Sequence, residues 1–445
     1  MKRSAWRHLW KSQDIRRKLF ISILLLVIYR LASNIPVPGI DENLVAQLTS
    51  TTGAAGGLIN LLDMLSGGSV SNFSILAMGV YPYITAQIIL QLLVPIIPAL
   101  ERKMQDDPRE GRAWMERWTI ILTVPMAALS AIGQINIFSA MLGQSVMTSY
   151  FGFTGPNLIP TLATILSMMA GTLFGVWLGE LISEYGIRGQ GLSLIIFSGI
   201  VAKIPDHMFA LLNDQTYWWL IFIVVALLVV TIFAVVHVQQ GRRYVPVMFP
   251  GRRVGSRMSM PVKSSVPLMV NMAGMIPIIF AQSLLTFPTI LASFFNNAKA
   301  DWLRNFAAWI NTTLSGEGAI YPILFFLMVV GFTFFYTDVL FTQQNYGENL
   351  KKQGAQIPGV ARGAATQRYL SKVQRRITFP GALFLGVVAA LPYILGLFLP
   401  EGLSSTNIFL VSSSGLLIVT GVVRDTFQII ETDLKMHGYD DRLIS

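Results

Sequence analysis

Long apolar stretches separated by short polar segments dominate the hydrophobic pattern of this chain. A helix needs about 20 predominantly apolar residues to cross a bilayer, and its backbone must be hydrogen-bonded internally there. Ten stretches have few charges and suitable length, although the fifth is short. They lie near residues 19–35, 73–95, 118–138, 157–181, 190–204, 217–238, 267–292, 320–341, 378–399 and 405–424. The pattern therefore predicts an all-α polytopic membrane protein with ten transmembrane helices.

Residues 57–95 depart from this simple pattern. The first half is too interrupted to span, because about two turns of apolar helix end at Ser66-Gly67-Gly68-Ser69. The second half, 73–94, has no charge over 22 residues and predicts a spanning helix kinked at Pro82. A membrane tolerates a non-spanning element only inside protein or beside a water-filled cavity. The first half is therefore either a re-entrant segment lining a path or a helix at the membrane surface.

Composition agrees with a membrane setting and removes several kinds of chemistry. Of the 445 residues, 53% are hydrophobic and 13% are charged, against roughly 25% charged in soluble domains. The absence of cysteine excludes disulfides, thiolate metal sites and thiol catalysis. The four histidines lie far apart, and no metalloprotease, phosphate-loop or nucleophile-elbow motif occurs. The sequence therefore predicts no catalytic residue, no metal site and no cofactor.

Positive charge is distributed unevenly between the two sides of the predicted membrane. Of 33 Lys and Arg residues, 29 lie on the side of the N-terminus, three lie on the other side, and Arg30 lies inside the first span. The three are Lys203, Lys299 and Arg304. Cytoplasmic loops of membrane proteins carry an excess of Lys and Arg, so both termini are predicted to be cytoplasmic. The basic residues 1–18 have no cleavage site after them and are predicted to lie on the membrane surface as an amphipathic segment.

Ten spans divide into five and five at a basic loop. An odd number of spans in each half gives the halves opposite orientations, as in an inverted repeat with a path at its interface. The predicted parts are a cytoplasmic segment 1–18, an N-terminal half with the sixth span 19–238, a cytoplasmic loop 239–266, the remaining C-terminal half 267–424 and a cytoplasmic tail 425–445.

Ionisable residues lie near the ends of the predicted spans rather than at their centres. Glu180, Asp338, Arg424 and Asp425 fall near cytoplasmic ends, and Arg30 lies near the outer end of its span. Ion-coupled carriers and intramembrane proton relays need such groups deep in the membrane. The placement argues against a small-solute carrier and against an intramembrane enzyme.

The fourth predicted span carries a doubled G-x-x-x-G pattern at Gly171, Gly175 and Gly179. Small residues at this spacing let a second helix approach closely. A neighbour within the same chain is favoured over a partner subunit.

The cytoplasmic loops 239–266 and 342–377 hold more positive charge than orientation requires, mixed with Gln, Gly, Pro and aromatic residues. They are either solvated loops or a docking surface for a large anionic partner, such as ribosomal RNA or an acidic protein.

Several ordered motifs carry a resemblance to a known family. They are Ile35-Pro-Val-Pro-Gly-Ile40, Ser66-Gly-Gly68, Met78-Gly-Val-Tyr-Pro-Tyr-Ile84, Trp177-Leu-Gly-Glu180, Val270-Asn-Met-Ala-Gly-Met-Ile-Pro277, Phe334-Phe-Tyr-Thr337, Asn349-Leu-Lys-Lys-Gln-Gly354 and Leu416-Leu-Ile418. Through them nearly the whole chain resembles the SecY family of bacterial protein-conducting channel subunits.

The resemblance implies two five-helix halves around a central pore, a SecE-type and a SecG-type small subunit, and a location in the bacterial plasma membrane. It implies that unfolded secretory polypeptides with signal sequences pass the pore and that transmembrane segments leave sideways into lipid. It further implies docking of the ATPase SecA or the ribosome on the cytoplasmic loops. The alternative is a small-solute secondary transporter, which needs a polar site at the midplane.

The resemblance also assigns residues to these roles. Residues 58–74 correspond to a plug on the outer side of the pore, with Leu61, Leu62, Met64, Leu65, Ser66, Gly67 and Gly68. The apolar pore ring corresponds to Val80, Ile84, Leu192, Ile196, Ile276 and Ile418. The lateral gate corresponds to Gln87, Gln91, Thr123 and Asn271, and the docking cations to Arg242, Arg243, Arg252, Arg253, Lys351, Lys352, Arg362, Arg375 and Arg376.

Physical chemistry is consistent with these assignments. Val80 and Ile84 are four residues apart, as are Leu192 and Ile196, so each pair faces one way on a helix. Branched aliphatic side chains offer no hydrogen bond to water or ions and can gate a pore by dewetting. Gln91 and Asn271 are expected to bond across the closed gate, with about 0.6–2 kcal/mol.

Overall fold

The computed structural model describes residues 12–41, 73–142, 145–147, 151–152, 155–213, 218–249, 253–254, 257–258, 262–295, 300–314, 320–396 and 407–436. Predicted features that lie outside these residues are positions 1–11 of the N-terminal segment, positions 58–72 of the plug, Arg252, and positions 437–445 of the tail.

A helix occupies each of the ten predicted spans. These helices are α1 Gln13–Ala32, α2 Tyr81–Ile96, α4 Pro108–Leu142, α5 Leu158–Tyr185, α6 Gly191–Asn213, α7 Trp218–Gln240, α8 Ile276–Ser293, α10 Ile320–Gln344, α12 Ala364–Gly396 and α13 Asn407–Met436. The helices outside the spans are α3 Pro98–Asp106, α9 Asp301–Leu314 and α11 Tyr346–Lys352. By length and hydropathy alone, four described stretches can cross a membrane, or five if α2 and α3 form one bent span.

The second span begins later than predicted, and the expected kink at Pro82 is wrong. Residues 73–80 form turns, with positive φ at Phe73 (40°) and Gly79 (50°), and α2 starts at Tyr81. Pro82 therefore lies in the first turn, where its missing N–H has no helical partner to lose and its fixed φ suits the helix.

The predicted start of the seventh span at residue 267 is also wrong, because a β-hairpin precedes it. Strand β1, Arg242–Phe249, pairs antiparallel with strand β4, Val262–Met269, from Arg242 opposite Met269 to Phe249 opposite Val262. A shorter pair near the tip joins β2, Arg253–Val254, to β3, Arg257–Met258. Helix α8 therefore begins only at Ile276.

The glycine pattern on α5 packs within this chain, as predicted. A Cβ at Gly171 would collide with the carbonyl oxygen of Ile75, and a Cβ at Gly179 would lie 2.8 Å from Leu192 Cδ2. Gly175 faces the ring of Tyr29 on α1. The three glycines thus let the segment before α2 and the start of α6 approach α5 closely, which positions both beside the main apolar core.

The main apolar core draws buried side chains from nine helices, α1, α2, α5, α6, α7, α8, α10, α12 and α13. A second cluster lies around Phe73 and includes residues of α4, α5 and α8. Phe73 packs edge to face on Phe138 of α4, with ring centroids 5.0 Å apart. This contact fixes the chain directly before the turns that lead into α2.

Candidate functional site

The six predicted ring residues all belong to the main apolar core. Four of them are buried in it and two are half-buried against it. They are, in that order, Val80, Ile84, Ile196, Ile418, Leu192 and Ile276. The six ring residues, which lie between positions 80 and 418 of the chain on α2, α6, α8 and α13, thus belong to one cluster that extends over nine helices.

Three of the four contributing helices present their ring residues at their N-termini. Val80 caps α2, Leu192 is the second residue of α6 and Ile276 is the first residue of α8. Each is preceded within three residues by a glycine in the left-handed region, which L-residues adopt at a cost of about 1–2 kcal/mol. These glycines are Gly79, Gly189 and Gly274, with φ of 50°, 70° and 66°.

A short repeat relates two of these helix starts, and the sequence analysis missed it. Gly79-Val-Tyr-Pro82 and Gly274-Met-Ile-Pro277 both combine a left-handed glycine with a proline in the first helical turn. α2 and α8 are the second helices of the two predicted halves, so the repeat has the position that an inverted repeat requires. The G-x-x-P spacing was a readable signal for both helix starts and for the residues beside them.

The predicted gate residues lie on α2, on α4 and in the turn before α8, and Gln91 and Asn271 do not bond as expected. Asn271 is 1% exposed, and its Nδ2 donates to the Gly274 carbonyl at 2.9 Å, within the turn before α8. In the described residues, neither Asn271 Oδ1 nor Gln91 Oε1 accepts a hydrogen bond, so the expected Gln91–Asn271 bond is wrong. Thr123 is buried and donates to Thr119 within α4, and Gln87 is half-buried on α2.

A hydrogen bond that was not predicted joins α2 to α8. The Tyr81 hydroxyl donates to the backbone carbonyl of Ser283 at 3.2 Å and so connects the start of α2 with the middle of α8. Both residues are buried. No sequence pattern pointed to this pair, because a bond to a backbone carbonyl leaves no complementary side chain to recognise.

The two basic loops fold into one unit with its own apolar core. Val245, Val247 and Leu268 of the hairpin pack with Phe341, Leu350, Ala355, Ile357, Leu370 and Ile377. Met248 and Gln356 exchange backbone hydrogen bonds of 2.8 Å and 2.9 Å across the two loops. We call this unit, residues 242–249, 262–269 and 341–377, the platform. The described parts of the two loops are therefore folded together, and their role as a docking surface stays a prediction.

Most predicted docking cations lie on the surface of the platform. Arg242, Arg243, Lys351, Lys352, Arg362 and Arg376 are exposed. Arg253 lies on β2, and Arg375 is exposed but donates twice to Asp338, at 3.1 Å and 2.6 Å. The hydrogen bond to Asp338 and the charge of that carboxylate raise the pKa of Arg375. Arg375 therefore fixes α12 to α10, and its charge is partly neutralised.

An open groove of about 620 Å³ runs along α12 beside this ion pair. It is lined by Phe334, Gln367, Arg368, Ser371, Lys372, Arg375, Arg376 and Phe379. Arg368 and Lys372 were not among the predicted docking residues. The basic surface of the platform therefore extends along α12 toward the membrane-spanning part of the helix.

The N-terminal part of the first described helix is joined to the C-terminal part of the last one. Lys18 donates to Asp433 at 2.7 Å, and the two side chains are 20% and 10% exposed. This hydrogen bond raises the pKa of Lys18. Ile15 packs beside it on Ile430 and Leu434. Farther along α13, Arg424 Nη1 donates to the Gln239 carbonyl at the end of α7.

Known proteins match nearly the whole length of this chain. The SecY family model matches residues 74–427. The protein translocase subunit SecY of Streptomyces griseus is 37% identical over 443 residues, covering 98% of this chain and 99% of that protein. The SecY subunits of Thermotoga maritima and Chlamydia trachomatis are 34% and 35% identical, each over 98% of this chain and 96% of the relative.

Solved structures of protein-conducting channels share the fold. One channel structure superposes with a TM-score of 0.60 at 16% identity and covers 99% of this chain and 100% of its own. Canine Sec61 from a ribosome–channel complex of the endoplasmic reticulum gives 0.57 at 16% identity, with the same coverage. The small-solute carrier hypothesis finds no support in these similarities. The chain belongs to the SecY family of protein translocase subunits.

Proposed function

We propose that this protein is the channel-forming subunit of a bacterial protein translocon and that its main apolar core contains the seal of the pore. The single observation that supports the proposal is that the six ring residues, from four helices, all lie in or against the main apolar core. Membership of the SecY family makes a polypeptide the substrate.

The ring works by excluding water. Its aliphatic side chains offer no hydrogen bond, so a narrow constriction lined by them stays dry and blocks ions. A polypeptide that passes in an extended conformation fills the constriction with its own side chains. Because dispersion contacts have no preferred partner, the ring accepts chains of any sequence.

The lateral exit lies between α2 and α8 in this proposal. The Tyr81–Ser283 bond is one neutral hydrogen bond across the pair, worth about 0.5–1.5 kcal/mol. A signal sequence that brings apolar area into the gap can exceed that contribution. Residues 58–74 act as the second closure, a plug on the outer side, of which only positions 73 and 74 belong to the described part of the chain.

The platform receives the cytosolic partner. Its exposed cations suit ribosomal RNA or acidic protein surfaces, which supports docking of the ribosome or SecA. SecE-type and SecG-type subunits complete the complex in the bacterial plasma membrane, with both termini cytoplasmic. The excess of Lys and Arg in the predicted cytoplasmic segments supports this orientation.

The proposed seal is tested by making the ring residues polar, so that water can enter the constriction. The combined change Ile84→Asn, Ile196→Asn and Ile276→Asn introduces hydrogen-bonding groups into the ring, and deletion of residues 60–70 removes the plug. In planar bilayers, the double modification should raise resting ion conductance well above either change alone. The matched control replaces the same three residues by Leu in the plug-deleted protein and should stay tighter. A folded Asn variant without plug that conducts no more than wild type would refute the ring as the seal.

A further inference from the structure

Helix α9, Asp301–Leu314, joins α8 to α10 and has three distinct faces. One face packs on the protein through Ala307, which is 1% exposed, and through Leu314, which contacts the main core. A second face is polar and exposed, with Asp301 and Arg304 paired at 2.9 Å and with Asn305 and Thr312 beside them. The third face is aromatic and exposed.

The aromatic face consists of Trp302, Phe306 and Trp309, which are 70%, 54% and 59% exposed. Their spacing of four and three residues places them on one side of the helix. Phe306 and Trp309 stack with ring centroids 6.2 Å apart. Large aromatic side chains in a row are not left in water without reason, because an exposed apolar patch marks an interaction surface.

The position of α9 in the fold identifies what covers this face. α9 follows the C-terminal end of α8 and precedes the N-terminal end of α10, while the platform adjoins the opposite ends of both helices. Exposed apolar residues continue from α9 onto its neighbours, with Leu291 and Phe295 on one side and Ile320 and Ile323 on the other. In a membrane protein, exposed apolar side chains of this kind on spanning helices face lipid.

We propose that α9 lies flat in the membrane–water interface of the leaflet opposite the platform, with Trp302, Phe306 and Trp309 inserted among the lipids. Tryptophan is enriched at this depth because its ring is apolar and its N–H can reach water or headgroups. The polar face of Asn305 and Thr312 then points to water, as in other interfacial amphipathic helices.

Such an anchor fixes the outer end of α8. The helix packs against α8 and α10, so an insertion that holds α9 at the interface also sets the depth of α8 in the bilayer. A role in gating rests on the proposed function, in which α8 borders the lateral exit. In that case α9 holds the α8 edge of the exit at a constant depth in the bilayer while the opposite edge moves. The anchoring itself does not depend on that role.

The test uses spin labels, because the chain has no cysteine to remove. Single changes Trp302→Cys, Phe306→Cys and Trp309→Cys are labelled in the complete translocon reconstituted in phosphatidylglycerol–phosphatidylethanolamine vesicles. Asn305→Cys and Thr312→Cys on the polar face of the same helix serve as matched controls. Collision rates with oxygen, which concentrates in lipid, and with a water-soluble nickel chelate are then compared.

The proposal expects the three aromatic positions to collide more with oxygen and the two control positions more with the nickel chelate. Equal access of the chelate to all five labels would place α9 in water and overturn the proposal. Protection of the aromatic positions from both reagents would also overturn it, because a protein partner would then cover the face. Since the measurement involves no translocation, its failure is distinct from a failure of the channel function.

Discussion

The six ring residues and the core of the platform both consist mainly of aliphatic side chains, but the segments that carry them are joined by different kinds of bonds. The ring residues come from several helices, and a hydrogen bond between side chain and backbone, from Tyr81 to Ser283, joins α2 to α8. The platform has an eight-residue strand ladder, two reciprocal backbone bonds between its loops and a doubly bonded Arg375–Asp338 pair. A surface that receives force from a cytosolic partner needs directional bonds, whereas a seal that opens repeatedly needs contacts that re-form without alignment.

The largest expected effect concerns the core of the platform. Leu370 is fully buried there, and Leu370→Ala should cost about 2–5 kcal/mol because it removes apolar contact and leaves a cavity. We expect faster trypsin cleavage at platform Lys and Arg residues and weaker ribosome or SecA binding, with unchanged resting conductance. Val387→Ala on the same helix is the control, since Val387 is 49% exposed. A leaky pore in the Leu370 variant would show that the two regions are not independent.

A matched pair of glycine changes gives an intermediate effect. Gly274 lies at the start of α8 and Gly359 in the platform, with φ of 66° and 77°, and neither has a neighbour closer than 4.0 Å to an added Cβ. Each change to Ala should therefore cost about 1–2 kcal/mol through backbone strain alone. Gly274→Ala should raise resting conductance, whereas Gly359→Ala should weaken partner binding. The same phenotype from both variants would contradict the separation of roles.

The smallest effect concerns the surface charges. Reversal of Arg242, Arg243, Lys351 and Lys352 to Glu should weaken partner binding at low salt. The deficit should shrink at higher salt, because exposed charges are screened beyond about 8–10 Å. A binding deficit of the charge-reversed protein that is independent of salt would indicate a structural defect instead of lost attraction.

Arg375→Gln should lower the free energy of unfolding by no more than about 1 kcal/mol, as expected for an exposed ion pair.

The sequence predicted the ten helical segments because long apolar runs leave few alternatives. It did not predict the hairpin, because only Val245 and Val247 show the alternation of a half-buried strand within a short, charged segment. The late start of α2 could have been found, since Pro82 suits a first helical turn better than a helix interior.

The ring could not be derived from the sequence locally. Its residues lie between positions 80 and 418, and only the resemblance to a known family named them together. The Tyr81–Ser283 bond was missed because a backbone acceptor has no sequence signature. The union of the two basic loops was missed for a related reason, since Met248 and Gln356 join through backbone groups.

The central claim is that a polypeptide passes through the ring, and cross-linking to a stalled substrate tests it most directly. Ile84→Cys and Ile196→Cys are compared with Ile323→Cys and Leu327→Cys, which are exposed on the lipid-facing side of α10. The substrate carries one cysteine in the segment halted inside the channel. The account predicts disulfide adducts from both ring positions and none from the α10 positions. Adducts from Ile323→Cys or Leu327→Cys, with none from the ring, would contradict it.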